Sequence, residues 1–208
     1  MSFGTRAWLR PALLAGSIVL CVAAGSVVWL IYHLSSSARV TSLARQVVTA
    51  LPVPAARVGS RFVLYRDYLA QLDAAQRFLS GPTARAQGLP TELTPEMRSK
   101  VLDQAVRIAA VEELAAQAQI VITPLDVDRA FDELIAHAGT STTPEEIHQF
   151  LQSEFGWDEV HFKKFVVRPA LMEEALKQKK SADPQDATFD RELSARLTKP
   201  DVVRYVKM

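Results

Sequence analysis

Cysteine is almost missing from this chain of 208 residues, and its one cysteine, Cys21, lies in an apolar N-terminal run. The remainder is expected to have no disulfide, no thiol nucleophile and no Cys-based zinc spacing. An excess of one charge is equally absent: Lys+Arg number 24 against 23 Asp+Glu, a formal net charge of +1. Residues 1–45 hold four Arg and no acid, which leaves 20 Lys+Arg against 23 Asp+Glu beyond them, or −3. Without a basic stripe or an aromatic–Arg platform, nothing points to nucleic acid. The 8 glycines form no phosphate-cradling loop, and no serine elbow or Ser/Lys dyad motif occurs.

Histidine is sparse too, at four: His33, His137, His148 and His161. His148 and His161 flank Gly156, yet no carboxylate or Cys stands at a ligand spacing, so neither a metal nor another cofactor is expected. Acidic pairs at Glu112-Glu113, Asp132-Glu133, Glu145-Glu146 and Glu173-Glu174 diverge by ~100° on a helix and read as solvated faces, not acid–base dyads. Lys163-Lys164 and Lys177-Gln178-Lys179-Lys180 read the same way, with lipid headgroups as the lesser option. No catalytic residue is expected.

What is present begins with an uncharged apolar run, Ala12 to Leu34. As a helix it reaches roughly 35 Å, enough for a hydrocarbon core of about 30 Å. The expected division is a cytoplasmic tail at 1–11, a transmembrane anchor at 12–34, a juxtamembrane helix or linker at 35–55, and one domain over 56–208. A cleaved signal peptide is the competing reading, with Arg6 and Arg10 before the run and Val22-Ala23-Ala24 or Ser35 to Ala38 as cleavage sites. The continued apolar stretch Val27 to Ile31 favours the uncleaved anchor. The positive-inside bias is shallow, and the domain is placed outside, so the expected location is the cell membrane, single-pass, with an extracytoplasmic domain.

The domain reads as mainly α. Ala56 to Val58 and Arg61 to Leu64 suggest two short strands around a Gly59-Ser60 turn, and Tyr65 to Leu79 a helix burying Tyr68, Leu69, Leu72, Ala75 and Leu79. A loop is expected from Ser80 to Leu93. Three Thr-Pro steps, at Thr94, Thr123 and Thr143, then look like helix starts, the last with a capping box through Glu146. The first runs from Pro95 to about Gln119, with an apolar surface wide enough for a central helix. The second spans Pro124 to Ala138, and the third Pro144 to Phe155, closed by Gly156. A fourth pattern covers Trp157 to Lys179 with Val160, Phe165, Val166, Leu171 and Leu176 inward and a break at Pro169. A last helix covers about Gln185 to Leu197. Val202 to Val206 should pair with the first strands, giving a two- or three-stranded sheet that joins the ends of the domain.

This order resembles the N-terminal chaperone domain of the SurA and PrsA/PpiD group of extracytoplasmic foldases. Val58 to Tyr68 is similar to that family's strand, turn and first helix, with Gly59-Ser60 where Asn-Gly is usual. Val101-Leu102-Asp103-Gln104 with Glu112-Glu113-Leu114 and Ala118 resembles its central helix. Ile120 to Val127 and Phe155-Gly156-Trp157 resemble its later helix starts. The likeness covers roughly Ala56 to Lys180. It implies a SurA-N-like fold that holds unfolded chains. It does not imply isomerase activity, because Ser181 to Met208 is too short for the parvulin domain that isomerising members carry there.

Phe131, Phe150, Phe155, Trp157, Phe162 and Phe165 read first as core. Phe131, Phe150, Phe155, Trp157 and Phe162 are also the candidate client-binding residues, because holding unfolded chains needs accessible apolar surface. Phe162 falls off the Val160–Phe165 face and is the expected exposed ring. The functional reading is a non-catalytic, membrane-anchored holder of unfolded polypeptides. The alternatives are an assembly subunit for one membrane partner and a prolyl isomerase relative.

Overall fold

Pro54 opens the first strand, a position where its missing N–H costs no ladder bond. The computed structural model describes residues 51–137, 143–180 and 188–206. Strand β1 (Pro54–Val58) turns through Gly59, at φ +54°, into β2 (Arg61–Leu64). Register is antiparallel, with Val58 opposite Arg61 and Arg57 opposite Phe62. The other side of β1 takes β3 (Val202–Arg204), also antiparallel, giving the order β2-β1-β3. A small antiparallel sheet thus brings residues 54–64 beside residues 202–204, as the β-favouring C-terminal run suggests.

Helix α1 (Tyr65–Ser80) follows β2 directly and buries Tyr65, Tyr68, Leu69, Ala74 and Leu79. The expected loop after it contains a short helix, α2 (Pro82–Ala86), begun by a proline at its first position. Helix α3 (Pro95–Gln117) is central. It packs against β1, β2, α1, α7 and α8, the last two being Arg168–Lys180 and Thr188–Leu197. Its buried set is Leu102, Ala105, Val106, Ala109, Ala110, Val111, Leu114 and Ala115, while Ile108 is half-buried. Small residues at 105, 109, 110 and 115 let several elements approach one helix, as the wide apolar surface suggests.

Each Thr-Pro step starts a helix. The Thr94 side chain accepts from the Met97 N–H. Thr143 and Glu146 complete the expected capping box ahead of α5 (Pro144–Phe150). A reciprocal pair not foreseen from the sequence precedes α4 (Pro124–His137): the Thr123 N–H donates to Asp126 at 2.9 Å and the Asp126 N–H to Thr123 Oγ1 at 3.2 Å.

Beyond Phe150 the backbone runs as a π-helical turn, Leu151–Phe155, and stops at Gly156, φ +68°. Asp158 caps the short α6 (Glu159–Phe162) by accepting from the His161 N–H at 2.8 Å. A second π turn, Lys163–Val167, leads into α7. It lies just ahead of Pro169, which has no N–H for the Phe165 carbonyl, so the expected break takes the form of a widened turn. That extra residue rotates the face. Val160 is 70% exposed and Val166 39%, against the expectation that both point inward. No helix among the described residues is long and apolar enough to cross a membrane, and residues 12–34 lie outside them.

Candidate functional site

The five candidate rings separate into two groups. Phe131 is 2% exposed and sits with Val127 and Val167 in a small core between α4 and the second π turn. Phe162 packs against that core, with its ring centroid 6.0 Å from that of Phe131. Its expected exposure is therefore corrected: α6 is one turn long, so a face drawn from Val160 to Phe165 runs across a change of helix type. These two rings hold α4 in place.

Phe150, Phe155 and Trp157 form the other group. Phe150 is 55% exposed and meets Phe155 edge-on at 5.9 Å. Phe155 stacks on Phe78 of α1 at 5.7 Å and 7°, and meets Trp157 at 5.8 Å. Trp157 continues to Phe165 at 5.6 Å, and Phe165 to the His161 ring at 6.0 Å. Spacings of this order suit offset and edge-on ring pairs. The Trp157 indole N–H donates to the Ala70 carbonyl at 3.3 Å, which ties the ring row to α1.

Between the row and α1 lies an open cleft of about 440 Å³. Ala70, Asp73, Gln76 and Arg77 form its α1 wall, Phe155, Gly156 and Trp157 its floor, and His161 its far side. Gln76 is engaged, donating to the Thr91 carbonyl at 3.0 Å and accepting from the Leu93 N–H at 3.1 Å. Arg77 donates through Nε to the Ser153 carbonyl at 3.0 Å and lies across Gly156, where a Cβ would stand 3.1 Å from its Cδ. Gly156 is favoured by its left-handed φ, and its missing side chain also leaves Arg77 room to lie close. Arg77, Asp73 and Phe78 were not singled out from the sequence. On the pattern of α1 they are two ordinary polar positions and one apolar neighbour of the buried stripe.

Two of the histidines, His148 and His161, do have carboxylate partners, which spacing did not show. His148 Nε2 is 2.9 Å from Glu159, and His161 Nδ1 2.6 Å from Asp158. No group of three metal-ligating side chains forms among the described residues. Hydrogen bonding from the His161 N–H, then from its ring, holds the Asp158 carboxyl below its usual range. Lys163 does the same to Glu159. Lys163 is 18% exposed, pairs with Asp128 and Glu159, and stands 4.8 Å above the Phe131 ring, so it is not the solvated lysine its cluster suggested. Burial alone would lower its pKa, but the two carboxylates outweigh burial and raise it.

Three of the acidic pairs also prove to be more than solvated faces. Glu112 bonds Arg168 at 2.7 Å, Glu113 bonds Arg196 at 2.6 Å, and Glu173 bonds Arg107 at 2.7 Å; Glu146 serves the cap. What the cleft offers a ligand is aromatic rings and one guanidinium oriented by the Ser153 carbonyl. Compared with family models, with curated proteins and with solved structures, the chain finds no match.

Proposed function

We propose that the protein is a bilayer-anchored, non-catalytic holder of unfolded polypeptides, with its domain on the extracytoplasmic side. The observation that carries the reading is the half-exposed Phe150 at the end of a row of rings bordering an open cleft. Exposed apolar surface on a folded domain is costly in water and gains by covering. Burying one aromatic side chain contributes about 1.5–3 kcal/mol, so a few such contacts give weak, reversible capture and need no ATP for release. The uncharged run Ala12 to Leu34 supports the anchor, and the SurA-type pattern of Val58 to Tyr68 supports the holding role.

The test uses the full chain in lipid nanodiscs and measures light scattering of several unrelated denatured clients. Suppression of aggregation is expected for all of them, and Phe150→Ser is expected to weaken it several-fold with little change in Tm. Suppression for none, or turnover in a prolyl isomerisation assay, would overturn the proposal. Stoichiometric co-purification of one folded membrane protein, without client capture, would replace it with the assembly role.

A further inference from the structure

The cleft beside α1 contains a guanidinium, that of Arg77, whose donors are only partly used among the described residues. Arg77 is held at two points: Nε donates to the Ser153 carbonyl, and the side chain lies against Gly156, with Nη1 3.4 Å from the place a Cβ would occupy. Its Nη groups have no carboxylate partner among the described residues. Arg107, Arg168, Arg196 and Arg204, by contrast, each pair with an acid. A guanidinium fixed through Nε presents its two Nη donors as a preorganised fork, the geometry that suits a carboxylate. Phe155 and Trp157 line the same void of about 440 Å³.

We infer that this cleft takes the C-terminal carboxylate of a polypeptide whose last side chain is apolar. The inference rests on the holding role proposed above and names the part of a client that this site recognises. One residue must supply both an anion for Arg77 and an apolar group for the Phe155–Trp157 floor. A chain end does so: its carboxylate and its side chain leave the same Cα. An internal Asp or Glu has the anion but no apolar group of its own. Because Arg77 is exposed, the carboxylate adds selectivity more than affinity.

The experiment is fluorescence polarisation on the full chain in nanodiscs, with one fluorescent peptide of apolar C-terminus made as the free acid and as the C-terminal amide. A third peptide is amidated and carries one internal Glu. The free acid is expected to bind roughly fivefold tighter than the amide, as one partly screened charge-assisted contact allows. The internal-Glu peptide should bind like the amide. Arg77→Gln is expected to abolish the preference for the acid over the amide, and Arg77→Lys to restore only part of it. Equal binding of acid and amide by the natural chain overturns the inference but leaves the holding role intact. Binding of the internal-Glu peptide as tightly as the acid overturns the chain-end assignment. If no peptide binds and no client is protected, both readings fall. The comparison of peptides on the natural chain needs no variant to fold.

Discussion

Arg196 shows how much one side chain can join. It is 4% exposed, donates to Glu113 through Nε and Nη2 at 2.9 and 2.6 Å, and reaches Asp201 at 2.9 Å. The same guanidinium closes on the hairpin turn: a Cβ at Gly59 would stand 2.6 Å from its Nη2 and 2.4 Å from Glu113 Oε1. Central helix, last helix and first hairpin thus meet at a fully paired buried cation, as a buried charge requires. Neither Gly59 nor Arg196 announces this in the chain, where they are a turn glycine and one arginine among many. Gln119 is a different matter. It caps α3 at φ +55°, with the Ile120 N–H bonded to the Ala115 carbonyl at 2.8 Å, a left-handed cap that glycine normally fills. Gln119→Gly is expected to stabilise the fold by about 1 kcal/mol, the cost of the left-handed state for a residue with a Cβ. Urea denaturation measures it, and a lower midpoint would show that the cap is not strained.

Helix starts were legible because they are local. Thr supplies a side-chain acceptor, Pro forfeits a donor that the first turn cannot use, and Glu146 closes the Thr143 box. Thr143→Ala is expected to cost roughly 1 kcal/mol, read as a lower denaturation midpoint. An unchanged midpoint would mean that α5 is held by packing alone. The two π turns were not legible. A widened turn needs neighbours that reward the rotated face, and here Phe155 stacking on Phe78 and Val167 packing on Phe131 do so. Periodicity assumes one helical pitch throughout, so it misplaced Val160, Val166 and Phe162. The α2 turn was missed for a related reason: five residues begun by Gly-Pro look like a loop.

Across the whole molecule, carboxylates bonded to cations tie one element to another. Arg107 holds Glu173 below the usual carboxyl range, Lys163 holds Glu159 there, and Arg196 holds Asp201 there. A depressed folded-state pKa gives stability that is complete above the unfolded value, near 3.8 for Asp and 4.5 for Glu, and is lost as pH falls through the folded one. Tm is therefore expected to be flat from neutral pH to about 5 and to fall below it. Glu173→Gln should lower Tm at neutral pH and flatten the acid limb. An acid limb as steep as that of the natural chain would show that the Arg107 pair contributes nothing. At the alkaline end, burial first, then the neighbouring Tyr65, pushes the Tyr68 phenol up to about 12.

Composition and local pattern were enough to establish a mainly helical domain, its helix starts, the Gly156 stop and the terminal strand that returns to the first. Each of these is settled within a few residues by caps, turns and apolar spacing. Which rings are core and which line the cleft, which acids are paired, and that Arg77 bonds to the Ser153 carbonyl depended on contacts between segments far apart in the chain. Arg77 and Ser153 are 76 positions apart, and Glu113 and Arg196 are 83. No local rule carries information over such distances, because packing energy belongs to pairs of surfaces and not to either surface alone.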